Sequence, residues 1–406
     1  MGRPEFQNSK KSGWLFMTAI ICISFSLRAP MTSIGPLAGL MGASLGATNG
    51  FIGFISTLPL ITFAVCSPMV SWFNVRFGLG KTMMAGLLLI VLGGVIRSYA
   101  GIAGLLMGTA LVGIGICVGN VLIPSIVKLK FPQQIGIVTG IYITAMAAFA
   151  SIGAGISYPL AESGLGWERV LLVWSGVAFL AVLSWLPHRS LGEDDRIEEI
   201  ARKRNRKIGQ NHKKKSIWKS PLAWYITLFM GLQSINFYSL TAWIPSILQS
   251  WGMEPETTGY MALWFQLIGI PASFLAPVMA AKLKSQKPVA LGSGIFCVLG
   301  LAMLLYRPSV PFTMLALLLI ANGGAASFAW SMAMAGLKAD NAEEAASLSG
   351  MMQSVGYALA AIGPTLCGVL YDKVHSWNFV IILFIGLAVM MLIVGILASK
   401  KEKLFN

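Results

Sequence analysis

Arg28 points most directly to chemistry in this chain, because it lies midway along a long apolar segment that could cross a membrane. Burying a guanidinium at that depth costs about several kcal/mol unless it is paired or hydrated. The group stays protonated at any relevant pH. The 15 Asp and Glu residues and the three His residues fall in predicted loops, tails or helix ends. We therefore expect Arg28 to pair with a ligand, an anion or an electron-rich nitro or carboxylate group whose oxygens match its planar donors.

A structural role for Arg28 stays open beside this hypothesis. Pro30 lacks a backbone N–H and breaks helices, so it frees carbonyl acceptors close to Arg28 in the first predicted span. The guanidinium could be satisfied by these carbonyls instead of by a solute. Transport by an Arg28→Ala variant separates the two interpretations.

Amide and aromatic side chains occur in the same apolar segments and could line a cavity with Arg28. Gln353 and Tyr357, for example, are four residues apart and share a helix face. A cavity with one cation, several amides and several aromatic rings suits a small, flat, polar or anionic solute. Each residue could equally hold neighbouring helices together. The candidate binding residues are Arg28, Asn120, Tyr142, Gln233, Asn236, Tyr238, Trp243, Gln266, Asn322, Trp330, Gln353 and Tyr357.

The other residue types indicate that the chain is not an enzyme. A membrane-embedded enzyme needs clustered nucleophiles, metal ligands or acid–base pairs, and the five Cys residues are dispersed through apolar segments without paired spacing. We interpret them as small apolar residues rather than disulfides or metal ligands. No nucleotide-binding loop, nucleic-acid motif or cofactor fingerprint occurs, so we expect no cofactor, no metal and no nucleic-acid partner.

Membrane-spanning helices are the elements that would position these side chains. The 406-residue chain is 56% hydrophobic and only 11% charged, with a mean hydropathy of +0.74, whereas a soluble domain is about 25% charged. Its apolar stretches are long enough to span a bilayer as helices and too uniformly apolar for barrel strands. The predicted fold is all-α, with spans at 13–38, 49–73, 81–98, 101–127, 134–160, 168–187, 221–249, 256–281, 287–306, 310–336, 346–371 and 376–398.

Positive charge orients these twelve spans. With the N-terminus in the cytoplasm, all but five of the 30 Lys and Arg residues fall on the cytoplasmic side, as the positive-inside rule requires. The exceptions are Arg28 within a span and Arg97, Arg169, Arg307 and Lys373 on the other side. We expect a multi-pass protein of a bacterial inner membrane with both termini in the cytoplasm.

One long polar stretch divides the spans into six and six. It predicts an N-terminal bundle at 1–187, a basic linker at 188–220 and a C-terminal bundle at 221–406. We interpret the linker as a solvated connection that also fixes topology. A contact with anionic lipid headgroups or a regulatory role is the alternative, because clustered Lys and Arg near a membrane attract such lipids.

The two halves also match each other in register. A shift of 209 residues aligns Pro36 with Pro245, and a shift of 210 aligns Gly140 with Gly350. This nearly constant offset indicates a parallel six-helix repeat, an arrangement in which the solute site lies between the halves near the midplane.

Several segments carry a family resemblance: Leu27-Arg28-Ala29-Pro30, Gly35-Pro36-Leu37, Gly119-Asn120, Gly231-Leu232-Gln233-Ser234, Trp243-Ile244-Pro245, Leu348-Ser349-Gly350, Gln353-Ser354-Val355-Gly356-Tyr357 and Gly363-Pro364. They resemble the major facilitator superfamily and, within it, the cyanate permease (CynX/NimT-like) family. The superfamily's loop signature after the second helix corresponds to residues 74–81, with Val75 where an acidic residue usually stands. The resemblance implies a gating role for Arg76, Gly78 and Lys81.

The resemblance implies transport of small anions such as cyanate, or of nitroheterocycles such as 2-nitroimidazole, by alternating access in a lipid-embedded monomer. A multidrug exporter is the first alternative, although such exporters normally need a buried carboxylate. A nitrate/nitrite-type porter is the second, and a receptor or channel is disfavoured by the six-plus-six repeat. The coupling ion stays open, because a proton could move with the solute or with water, or the solute could simply equilibrate.

Overall fold

The computed structural model describes residues 4–47, 49–99, 101–191, 216–306, 309–400 and 403–404. Within these ranges the chain is almost entirely helical and contains no strand, as expected where lipid leaves every backbone group to be paired inside its own segment. The α-helices of the described residues are α1 (Pro4–Ser26), α2 (Ala29–Thr32), α3 (Ile34–Leu45), α4 (Asn49–Phe77), α5 (Leu79–Tyr99), α6 (Gly101–Lys130), α7 (Ile135–Leu160), α8 (Gly166–Trp185), α9 (Pro221–Ser250), α10 (Pro255–Ile268), α11 (Ile270–Lys282), α12 (Lys287–Leu304), α13 (Val310–Lys338), α14 (Ala342–Val374) and α15 (Trp377–Ala398).

Every one of the twelve predicted spans corresponds to a helix or to a helix broken into shorter pieces. Ten stretches of the described residues are long and apolar enough to cross a membrane. One of these, Ile135–His188, contains both the fifth and the sixth predicted span. Helix α9 is also long enough, at 30 residues, but polar side chains in its middle lower its hydropathy. The predicted all-α membrane fold is confirmed.

Local sequence explains where the helices are interrupted. Helix α1 ends at Ser26, and Arg28 lies in the turn that follows, just before Pro30, which cannot donate a backbone hydrogen bond. Between α7 and α8 the chain passes through a π-helical turn, where Gly164 and Gly166 adopt φ values of +99° and +73°. Glycine adopts such angles without a steric penalty, so this turn can redirect the chain.

The first of two compact units contains Met1–Phe131, Phe149–Lys219 and Asn341–Gly350. A buried apolar cluster joins α2, α3, α4, α6 and α8, with Trp167 and Trp174 as its largest members. The start of α14 belongs to this unit: the hydroxyl of Ser71 in α4 donates a hydrogen bond to the carbonyl of Ala346, at 2.9 Å.

The second unit contains Pro132–Ala148, Ser220–Asp340 and Met351–Asn406. The first part of α7 packs in it against α11, where Gly136 lies so close to the Pro277 carbonyl that no side chain fits between them. The chain's C-terminal segment is fixed to the end of α13, because Lys403 donates a hydrogen bond to the Leu337 carbonyl at 3.1 Å and pairs with Asp340 at 3.6 Å.

Most of the predicted basic linker, at residues 192–215, lies outside the described residues, as does Arg307. The structure describes the linker at residues 188–191 and again from Ser216, where a 3₁₀ turn, Ile217–Lys219, precedes α9.

Candidate solute-binding site

Arg28 lies at the break in the first span. It is the residue before α2, and its φ and ψ of −127° and −46° depart from helical values. Its carbonyl accepts hydrogen bonds from the N–H groups of Met31 and Thr32, at 3.0 and 3.1 Å, and its side chain is partly buried. The interruption that Pro30 predicts is therefore present, and it places a cation where the helix is discontinuous.

The second half of α7 holds this break in place. The Thr32 hydroxyl donates a hydrogen bond to the Ala150 carbonyl at 2.9 Å. A side chain at Gly153 would come within 2.9 Å of the Ala29 backbone, so the two segments are in direct contact. Arg28 is thus carried by a short, closely packed backbone segment.

Arg97 corrects the expectation that Arg28 is the one deeply buried charge. The sequence analysis assigned Arg97, at the end of the predicted span 81–98, to the non-cytoplasmic side, yet it lies inside α5 with only 1% of its surface exposed. Its Nη1 donates a hydrogen bond to the carbonyl of Pro30 at 2.8 Å, two residues from Arg28. Its Nε and Nη2 are buried and have no hydrogen-bond partner among the residues that the structure describes.

Helix α9 supplies two amides that the structure brings together. Gln233 and Asn236 are 3% and 7% exposed, and both line a cavity in the second unit. Gln233 donates from Nε2 to the carbonyl of Gly324 at 3.1 Å, whereas both amide atoms of Asn236 are buried without a hydrogen-bond partner in the described part of the chain. The other lining residues are Phe237, Leu240, Phe265, Cys297, Leu301, Ile320, Gly324 and Met391.

This amide cavity is small. Its water-accessible volume is about 10 Å³, which is close to the room that one water molecule needs. A drug-sized ligand needs several hundred Å³, so the cavity can accept only a water or a small group of a larger solute. Asn236 offers that group one donor nitrogen and one acceptor oxygen.

Two of the candidate binding residues, both tyrosines, also lie near one another. The rings of Tyr238 and Tyr357 are 6.3 Å apart in an edge-to-face arrangement, and Gln353 is fully buried one turn before Tyr357. Trp330 is fully buried as well, but its ring packs edge-to-face against Phe229 at 4.9 Å. The tyrosine pair and Trp330 therefore have different ring neighbours.

Of three other candidates, two make hydrogen bonds typical of helix packing and one is exposed. The indole of Trp243 donates to the carbonyl of Pro364 at 2.9 Å. Asn322 donates to the Leu318 carbonyl of its own helix at 2.8 Å. Gln266 is exposed, so the structure does not bring it into the Gln233–Asn236 cavity.

Asn120 and Tyr142 lie in different units. The backbone carbonyl of Asn120 accepts a weak hydrogen bond from the Ser349 hydroxyl at 3.4 Å, within the first unit. Tyr142 belongs to the second unit, where its ring is buried and its hydroxyl has no hydrogen-bond partner within the described ranges.

The predicted gating residues lie where α4 meets α5: Arg76 is in the last turn of α4, Gly78 lies between the helices, and Lys81 is in the first turn of α5. Gly78 has a φ of +87°, a conformation that a residue with a side chain rarely adopts. Arg76 is exposed and its guanidinium lies 5.3 Å from the centre of the Trp72 ring. Lys81 is exposed too and lines a surface groove with Arg189, so these cations lie at the surface of the first unit.

Comparisons with known proteins agree with this architecture. The chain is 38% identical to "Uncharacterized transporter YycB" of Bacillus subtilis, over 99% of this chain and 98% of that protein. It is 34% identical to the "2-nitroimidazole transporter" of Escherichia coli, over 98% of each. The "Cyanate transport protein CynX" of Escherichia coli is 23% identical over 93% of this chain and 96% of its own length.

A solved structure shows the same fold at low sequence identity. The proton:xylose symporter XylE superposes with a TM-score of 0.75 at 14% identity, over 97% of this chain and 96% of that one. The family model described as Major Facilitator Superfamily matches residues 15–364. The helical architecture and these matches lead to one conclusion: the chain is a transport protein, not an enzyme, and it belongs to the major facilitator superfamily.

Proposed function

We propose that this transporter moves a small anionic or polar planar solute, either a cyanate-like anion or a nitroheterocycle such as 2-nitroimidazole. Transport occurs across the cytoplasmic membrane by alternating access, and Arg28 binds the solute. The observation that carries the proposal is the position of Arg28 at the interruption between α1 and α2. Two relatives are named for the transport of 2-nitroimidazole and of cyanate.

The interruption itself supports a binding role. Within the hydrocarbon region, irregular backbone is tolerated only where it is buried in protein or lines a cavity, and transporters commonly place solute sites at such discontinuous helices. A planar guanidinium there can donate two parallel hydrogen bonds to a carboxylate or a nitro group. Arg28 combines both features in one residue.

The second unit contributes neutral polar groups to this proposal. Asn236 is the foremost among them, because its buried amide has no hydrogen-bond partner in the described part of the chain and would gain two hydrogen bonds from a solute. Gln233 and the Tyr238–Tyr357 pair are further proposed solute contacts within the second unit. Arg76, Gly78 and Lys81 act in the conformational change rather than in binding.

Uptake into proteoliposomes tests the proposal. We expect saturable uptake and counterflow of 2-nitroimidazole or cyanate by the natural chain. A hydrogen bond to a charged group contributes about 1.5–3 kcal/mol, so Arg28→Ala should weaken binding about ten- to hundredfold, and Arg28→Lys should restore little because it lacks the planar fork. Arg169→Ala, at an exposed position, is the matched control and should transport normally.

Three outcomes would contradict the proposal. Near-normal uptake by Arg28→Ala would assign the guanidinium to structure instead of solute binding. Export of cationic dyes without uptake of small anions would favour a multidrug exporter. Ohmic conductance without counterflow would identify a channel.

The same proposal includes the organisation of the chain in the membrane. Residues 1–187 and 221–406 form two related six-helix bundles joined by a cytoplasmic linker, and the protein acts as a monomer with both termini in the cytoplasm. Labelling of single cysteines placed at each terminus and in the linker, from either side of sealed vesicles, tests this topology. A terminus labelled from outside intact cells would overturn it.

A further inference from the structure

Arg97 is a buried charge that the proposed transport mechanism does not use. With 1% of its surface exposed, it has lost nearly all of its hydration. Its hydrogen bonding in the described part of the chain is limited to one bond, from Nη1 to the Pro30 carbonyl at 2.8 Å. A guanidinium carries five N–H donors, so this single bond leaves most of its donors unused.

Support of the helix break does not account for an arginine at this position. One hydrogen bond to a carbonyl requires one N–H, which a neutral glutamine side chain also provides without the cost of burying a charge. Carboxylates do not solve the problem either: of the acidic residues described in the first unit, none bonds to Nε or Nη2. Glu162, for example, accepts from the Tyr158 hydroxyl.

The two unpartnered atoms are arranged for one kind of ligand. Nε and Nη2 lie on the same edge of the guanidinium, and their N–H bonds point in the same direction, which matches the two oxygens of a planar oxyanion. Nη1, which holds the Pro30 carbonyl, also carries a hydrogen on the outer side of the group. The contact with Pro30 therefore does not use the N–H groups of the Nε–Nη2 edge.

We propose that the Nε–Nη2 edge of Arg97 is a second anion-binding site of this chain, separate from Arg28, for the planar two-oxygen group of a carboxylate, nitro compound or nitrate-like ion. It rests on the proposed function, because it assumes that small anions enter the bundle. The site is closed to solvent in this conformation.

Binding of nitrate and formate to the purified protein tests the site. Thermal stabilisation is measured with sodium nitrate, sodium formate and, as a linear anion, sodium cyanate. Arg97→Lys keeps the charge and loses the planar edge, so it should weaken nitrate and formate binding about tenfold or more while changing cyanate binding less. Arg97→Gln keeps a donor for the Pro30 carbonyl and should weaken the binding of all three anions. Arg169→Ala should bind all three like the natural chain.

Arg28→Ala separates this site from the proposed function. We expect this variant to lose transport and still be stabilised by nitrate, and the Arg28→Ala/Arg97→Lys double variant to lose that stabilisation. If the Arg97 variants do not fold, Arg28→Ala alone decides, because complete loss of nitrate binding there excludes a separate site. Unchanged nitrate and formate binding by well-folded Arg97→Lys and Arg97→Gln would also overturn the inference. Absence of anion transport by the natural chain would instead refute the proposed function.

Discussion

Replacing Asn236 with leucine should make this protein more stable and less active. The amide nitrogen and oxygen of Asn236 are buried and have no hydrogen-bond partner among the residues that the structure describes. A buried polar group left unsatisfied costs about 1–3 kcal/mol. The cavity beside Asn236 has room for about one water, which would recover part of that cost, so we expect Asn236→Leu to gain about 1–2 kcal/mol of stability.

Thermal unfolding and uptake measured on the same preparations check this prediction. The melting temperature should rise by about 2–4 °C, while uptake falls because the solute loses its donor and acceptor. Asn322→Leu is the matched control: it removes an existing hydrogen bond to Leu318 and should lose about 0.5–1.5 kcal/mol. A destabilised Asn236→Leu would show that the amide is already paired in the native protein, and a stabilised variant with normal uptake would remove Asn236 from the solute site.

Three further substitutions follow from close contacts and backbone geometry. Gly108→Ala places a Cβ within 2.5 Å of the Arg97 backbone nitrogen and should destabilise the protein by about 1–3 kcal/mol; an unchanged melting temperature would contradict the tight α5–α6 contact. Gly78→Ala places a residue with a side chain at a φ of +87°, which costs about 1–2 kcal/mol. We expect slower uptake with nearly unchanged solute binding, whereas weaker binding would argue against a gating role. Trp243→Phe removes the hydrogen bond to Pro364, and it should lower stability by about 1 kcal/mol without changing solute selectivity in competition uptake.

The first span shows what hydropathy predicts and where it stops. The apolar composition of residues 13–38 predicted a transmembrane segment, and Pro30 predicted its interruption, because both follow from local chemistry. Hydropathy did not predict that the segment would divide into three helices, with α3 continuing to Leu45. That division depends on packing against α7 at Thr32, a contact between residues more than 100 positions apart in the sequence.

Arg97 shows why depth cannot be read from the distance to a helix end. A charged residue near the end of a predicted span looks solvated, but burial depends on which face of the helix it occupies. Gly93, Gly94 and Arg97 share the buried face of α5, whereas Leu92 and Val95 are exposed. The spacing of three and four residues from a pair of glycines is the signal that could have identified Arg97.

Polarity alone did not separate the candidate binding residues from residues that pack helices. Gln266 and Gln233 are the same residue type at similar depth in their predicted spans. Gln266 is nevertheless exposed, whereas Gln233 is buried, with 3% of its surface exposed. The difference arises from the rotation of each helix about its axis, which neighbouring helices determine. Gln233 and Asn236 are three positions apart on α9, so the helical period alone predicts that they share a face of that helix.

The distribution of charge has a consequence for coupling. Arg28 and Arg97 stay protonated throughout a transport cycle, because a guanidinium does not lose its proton at physiological pH. The carboxylates that the structure describes lie in turns or near helix ends, as Glu168, Glu254 and Glu344 do. Of these carboxylates, none bonds to the two unpartnered nitrogens of Arg97, so a change in their protonation does not pair that guanidinium. We therefore predict a cycle in which solute binding, rather than a proton relay among the described carboxylates, makes the conformational change possible.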